Sequence, residues 1–465
     1  MRTLISGGTV VNSGGGFAAD VLVEGETIAA VTAPGLAAAL GVTADRVIDA
    51  TGRYVLPGGI DAHTHMEMPF GGTASVDTFA TGTAAAAWGG TTTIIDFAVQ
   101  AKGTSLLSAM DKWHEKAGGH CAVDYSFHMI VSDVNDTTLK EMESCVAAGV
   151  NSFKMFMAYP GVFYSTDGEI LRAMQKAREI GSTIMMHAEN GIAIDQLVAQ
   201  ALAEGRTDPV YHSLTRPPEL EGEATHRAIQ LAAVTGAPLY IVHLSSRQAL
   251  EAVTTARDTG QNVFAETCPQ YLFLSIEDMA RPGFEGAKFV CSPPLRPADH
   301  QLDLWRGLRT NDLSVVSTDH CPFCFVGQKE LGRGDFSKIP NGMPGVEHRM
   351  DLLHQGVVRG EISLSRWVEI SATTPARMFG LYPRKGVIAP GSDADIVVYD
   401  PKATQVLSAE THHMNVDYSA YEGMELIGKV ETVLSRGSVV VDRGSFHGRE
   451  GHGEFLERDL NQYLL

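Results

Sequence analysis

The sequence predicts a (β/α)8 barrel joined to a small β-sandwich that is assembled from both chain ends. Three observations carry this. Eight short β-branched runs, each followed by an Ala-rich or charged stretch long enough for a helix, fill the middle of the chain. Period-two alternation broken by turn residues marks the two ends. The 465 residues also exceed what one small core needs.

In chain order, residues 1–55 supply the first part of the sandwich. Leu4-Ile5, Val10-Val11, Val21 to Val23, Ile28 to Val31 and Val47-Ile48 read as short antiparallel strands. Gly14-Gly15-Gly16 reads as a hairpin turn, since it lacks G-x-G-x-x-G spacing and no amphipathic helix follows it. Residues 56–383 form the barrel. Its strands are expected at Gly59-Ile60-Asp61, Thr91 to Phe97, Tyr125 to Ile130, Ser152 to Phe156, Thr183 to His187, Leu239 to Leu244, Asn262 to Thr267 and Ser314 to Asp319. A helix is expected over Leu364 to Phe379, after which period-two texture returns at Gly391 to Asp400 and Val430 to Val441. Residues 384–465 thus complete the sandwich, and the polar stretch from Gly451 to Leu465 reads as a tail or an oligomer contact.

Composition narrows the function. With 36 basic and 55 acidic side chains the formal charge is −19, which repels a nucleic-acid backbone or an anionic bilayer. Met1 to Asp20 hold no basic region followed by an apolar one, and no run of eighteen apolar residues occurs, so a cytoplasmic protein without membrane contact is expected. Six scattered cysteines are too few for a disulfide framework in so long a chain and read mostly as small buried hydrophobes. Cys321 and Cys324 have C-x-x-C spacing but no second Cys or His pair beside them.

In a barrel of this kind the active site lies where the strands end, so polar residues closing these runs are the ones to inspect. His63-Thr64-His65 closes the first. Side chains at i and i+2 of a strand share a side, so the two imidazoles can grip one ion. His187, His243 and Asp319 close three other runs. A lone His on an apolar strand is usually a hydrogen-bonded core residue, but four His and one Asp at different strand ends converge if the barrel forms. Such a set suits Zn2+ first, with Mn2+, Fe2+ or Co2+ compatible by ligand type.

Lys154, within Phe153-Lys154-Met155-Phe156-Met157, places an ammonium in an apolar strand directed at this cluster. Beside metal cations it should be neutral or chemically converted. The neutral amine and carbon dioxide give a carbamate, whose two oxygens can bridge two metal ions.

The set His63, His65, Lys154, His187, His243 and Asp319 resembles the binuclear amidohydrolase superfamily, and in particular the dihydropyrimidinase and D-hydantoinase family. The more specific strings are His65-Met66-Glu67-Met68-Pro69-Phe70-Gly71-Gly72, Phe153 to Tyr159, Cys291-Ser292-Pro293-Pro294-Leu295-Arg296, Thr318-Asp319-His320-Cys321-Pro322-Phe323 and Asn341 to Glu347. The resemblance covers nearly the whole chain and departs at no ligand position. It implies two Zn2+ ions bridged by carbamylated Lys154, one held by His63, His65 and Asp319 and the other by His187 and His243. It further implies that Tyr159, Ser292 and Asn341 contact a cyclic amide, the last two mainly through backbone groups. It also implies a homotetramer or homodimer acting on a small molecule.

The reaction expected is ring opening of a dihydropyrimidine or hydantoin to an N-carbamoyl amino acid. A metal-activated hydroxide attacks the amide carbon, Asp319 carries the proton, and Tyr159 helps hold the oxyanion. Allantoinase and dihydroorotase are the nearest alternatives. Dihydroorotase-like chains usually carry an Arg two residues after the H-x-H, where this chain has Glu67. An acid there is read as opposing an anionic ring, with Met66, Met68, Phe70, Phe156 and Phe163 as an apolar wall and Arg296 as the fallback anion partner. A non-catalytic scaffold, the reading from another class, would be expected to lack some of the ligands, and all are present.

Overall fold

The computed structural model describes residues 1–463. Eight parallel strands form one sheet in sequential order: Gly59–Thr64, Thr91–Val99, Asp124–Ile130, Ser152–Phe156, Thr183–His187, Leu239–Ile241, Val263–Thr267 and Val315–Val316. Every residue of the third, fourth and fifth strands is buried, as β-branched and aromatic runs covered on both faces require. The helices between them are well delimited. Thr166 and Glu169 form a capping box at the start of Asp167–Ile180, and Ser246 caps Arg247–Asp258.

Between the eighth strand and the first, side chains take over from the ladder. Asp61 accepts from the Thr318 amide at 3.0 Å and the Thr318 hydroxyl at 2.5 Å. Just above, the His65 amide donates to the His320 carbonyl at 2.8 Å. The barrel is therefore closed beside the residues from which the site is built.

The chain ends form a separate nine-stranded sheet, in which Tyr54–Pro57 pairs in parallel with Arg2–Asn12 and antiparallel with Ile396–Val406. The expected hairpin is present, with Asn12 opposite Gly15. One continuous hydrogen-bonded sheet makes this layer. It curls until Ile28 exchanges main-chain bonds with Gly391 and Ser392, so that Ile5, Val21, Ile28, Ile396 and Leu434 share one core. Buried Lys385 fixes this sheet to the barrel, with Nζ 2.6 Å from Asp124 on the third barrel strand and 2.8 Å from Asp395.

The polar C-terminal stretch, read from sequence as a tail or an oligomer contact, lies along the barrel. Leu456 and Glu454 exchange main-chain bonds with Tyr125, and the Arg458 side chain is buried. Its guanidinium donates to Ser126 Oγ, Asn151 Oδ1, Ser152 Oγ and the Phe127 carbonyl. Arg458 and Asn461 are buried and hydrogen-bonded while Glu454, Glu457 and Asp459 stay exposed, a division that hydrophobicity alone cannot show.

Candidate metal centre and cavity

Local backbone directs the site residues inward. His63 lies in the first strand and His65 immediately beyond it, Lys154 sits within the fourth, and His187 ends the fifth. His243 and Asp319 lie past the ends of the sixth and eighth strands, with φ of 39° and 53°. Tyr159, past the fourth, has φ 61°. Three non-glycine residues in the left-handed region around one cavity hold strain of about 1–3 kcal/mol each, which the surrounding packing must offset.

All six candidate ligands converge. His63 Nε2 is 2.9 Å from Lys154 Nζ and 3.1 Å from Asp319 Oδ1, and His65 Nε2 is 3.2 Å from that same oxygen. His187 Nδ1 faces His243 Nε2 at 3.0 Å, and the His63 and His243 rings are 5.3 Å apart. The first trio presents ligand atoms all within 4.8 Å of one another.

Protonation fits a cation. Burial pushes His65 down to about 3 and His243 well below the imidazole range, leaving neutral rings with lone pairs. Burial opposes ionisation of Asp319, but His63 and His65 outweigh it and hold the carboxyl well below its usual value. Nδ1 of His65 and of His243 is buried without a partner among the described residues. Neutral rings at His65 and His243, gathered with His63 and His187 around one carboxylate, are a donor set that fits divalent metal.

Lys154 is buried over the rings of Phe97 and Phe156, with Nζ 4.4 Å and 5.0 Å from their centroids. Desolvation lowers it to about 8 against the pull of Asp319 and Glu266.

Two carboxylates that sequence reasoning passed over orient the rings. Glu266, on the seventh strand, accepts from His63 Nδ1, from the His243 amide at 3.1 Å and from the Tyr240 hydroxyl at 2.9 Å. Glu189 holds His187 Nε2 at 2.7 Å. Their signal in the sequence was an acid in a buried strand and an acid two residues past a strand-end His.

The cavity above the centre is lined by Met68, Phe70, Phe156, Tyr159, Phe163 and Cys321 on its less polar sides, and by Ser292 and Asn341. Burial pushes the Tyr159 phenol above its usual range, against Ser292 and Asn341. Asn341 Nδ2 donates to Ser292 Oγ at 3.1 Å, and among the described residues the main-chain N–H and C=O of Ser292 and Asn341 have no protein partner. Those groups are free for an amide ring.

One residue of the expected wall, the acid expected to oppose an anionic ring, and the expected anion partner lie elsewhere. Glu67 receives the Phe79 amide at 3.3 Å and faces Lys116, and Met66 is buried against Gly82, so neither lines the cavity. The sharp turn at Glu67, φ 53°, rotates both away. Electrostatic exclusion of an anionic ring by Glu67 is therefore not a feature of this site. Arg296 is locked by Glu221 at 2.8 Å and by Ser245 at 3.0 Å.

Comparison with known proteins follows this geometry. Residues 54–440 match the model of the amidohydrolase family. The chain is 68% identical to a D-hydantoinase of Streptomyces coelicolor, over 100% of this chain and 99% of that protein. It is 50% identical to a D-hydantoinase of Geobacillus stearothermophilus, over 98% and 97%. Among solved structures, a dihydropyrimidinase from Brevibacillus agri superposes with a TM-score of 0.97 at 52% identity, covering 99% of each chain.

Proposed function

The chain belongs to the amidohydrolase family, and from that premise we propose that it opens the ring of hydantoins and dihydropyrimidines by hydrolysing a cyclic amide bond to give N-carbamoyl amino acids. The observation that carries this reading is the placement of the His63, His65 and Asp319 cluster in one cavity with Tyr159 and the free main-chain groups of Ser292 and Asn341. The relatives' names, D-hydantoinase and dihydropyrimidinase, support the same chemistry.

His63, His65 and Asp319 would hold one metal ion and His187 and His243 a second, with zinc the first choice. When bound, these ions supply an activated water and a polarised carbonyl at neutral pH. Lys154 would join them as a carbamate. The ammonium would first give up one proton, and the neutral Nζ would then bond to the carbon of carbon dioxide and release a second, exchanging a cation beside Asp319 for an anion with two oxygens.

The chain's own groups then divide the work. Asp319 accepts the proton of the attacking water and returns it to the departing ring nitrogen. Tyr159 donates its hydroxyl to the oxygen that becomes negative. Ser292 and Asn341 read the ring amide through main-chain groups, and Met68, Phe70, Phe156 and Phe163 exclude water from one face. Initial rates of one metal-loaded preparation on hydantoin, dihydrouracil, allantoin and dihydroorotate test this. Hydantoin and dihydrouracil should rank first, and a preparation that opens none of the four overturns the reading.

A further inference from the structure

Beyond the inner cavity lies an outer one of about 1080 Å3, and the two adjoin across Phe70, Tyr159, Phe163 and Asn341, which line both. Val162, Val198, Leu331 and Ile339 line it, and Arg216 stands in its wall.

Arg216 is held at both ends. Its carbonyl accepts from Arg296, which is buried and paired with Glu221 at 2.8 Å. Its Nη1 donates to His212 Nδ1 at 3.0 Å and to the His212 carbonyl at 3.2 Å. Because His212 Nδ1 accepts, Nε2 carries the proton and donates to the Cys291 carbonyl at 2.9 Å and to Ser292 Oγ at 3.1 Å. Thus the guanidinium is tied to the segment that reads the ring, while its Nε and Nη2 have no partner among the described residues. Asp195 lines the same cavity and feels the charge of Arg216, but forms no ion pair with it among those residues. The other cation there, Lys338, is paired with Asp335 at 3.1 Å and 71% exposed, so it is not fixed.

On the proposed reading of the inner site, we infer that Arg216 is a specificity residue, forming an anion subsite for a carboxylate carried on the substrate's ring substituent. The ring stays neutral, the stem of the substituent passes the apolar wall, and the carboxylate meets the free donors of Nε and Nη2, whose positioning is fixed by the bonds to His212 and Arg296.

The test compares kcat/KM for 5-(2-carboxyethyl)hydantoin and the neutral, near-isosteric 5-(2-carbamoylethyl)hydantoin, with unsubstituted hydantoin alongside. The acid should be favoured by about tenfold at low salt, a preference that narrows as salt rises. Arg216→Gln should bring the ratio near one, and Lys338→Gln should preserve it. A ratio at or below one in the unmodified enzyme, or a preference that survives Arg216→Gln, overturns the inference. So does turnover of hydantoin with neither substituted compound opened. If Arg216→Gln does not fold, the salt series on the unmodified enzyme decides, because a salt-independent preference also overturns it. Loss of turnover on hydantoin itself would instead strike the reading of the inner site and take the subsite with it.

Discussion

The imidazole of His63 donates from Nδ1 to the buried carboxylate of Glu266, which directs Nε2 at Asp319 and Lys154. A ring held this way cannot turn or change tautomer without taking from Glu266 its imidazole partner. Glu266→Gln should therefore lower metal affinity by about 10–100-fold with little change in fold. Elemental analysis after dialysis against a graded chelator, read beside circular dichroism, checks it, and unaltered metal retention would remove Glu266 from the centre.

Metal removal should abolish ring opening, and Zn2+, Co2+ or Mn2+ added back should restore it. The decisive measurement pairs turnover with metal content in the same sample. Full activity at zero metal would contradict the assignment of His63, His65 and Asp319.

Lys154→Ala should lose metal and activity together, because the carbamate proposed for Lys154 would go with the side chain. A short carboxylic acid supplied in the buffer should restore part of both by occupying the space. An alanine variant that keeps two metals per chain and normal turnover would show that the lysine is only packing.

Tyr159→Phe should lower kcat by on the order of 10²-fold with metal content unchanged, since only a donor to the developing oxyanion is lost. Asp319→Asn should disturb metal content and kcat together, because Oδ1 lies near both His63 Nε2 and His65 Nε2. Unchanged kcat in Tyr159→Phe would take the hydroxyl off the catalytic list.

Arg458→Met should destabilise the protein by about 3–5 kcal/mol, because Ser126, Asn151, Ser152 and the Phe127 carbonyl lose their shared donor inside the barrel wall. The urea midpoint, or the inactivation rate if unfolding is irreversible, reports it. A midpoint within error of the parent would return the C-terminal stretch to the status of a surface tail.

What the sequence determined by itself were the features written in local chemistry. Period-two texture at the ends and β-branched runs before helices give the barrel and the second sheet, because side-chain periodicity follows from backbone geometry within one element. His63, His65, Lys154, His187, His243 and Asp319 were legible for the same reason, each closing or occupying a run whose direction was known.

Tertiary structure decided what depends on where a side chain turns after its strand ends. Glu266 and Glu189 look like ordinary acids until the barrel closes and sets them against His63 and His187. Glu67 and Met66 sit beside the H-x-H in sequence yet point away from the cavity, because a left-handed φ at Glu67 reverses the chain. Arg296, the anion partner that the sequence suggested, is consumed by Glu221, whereas Arg216, which the sequence did not single out, keeps donors without a partner among the described residues in the wall of the outer cavity. Partner choice among buried charges depends on distances across the barrel, and one-dimensional spacing carries no information about those.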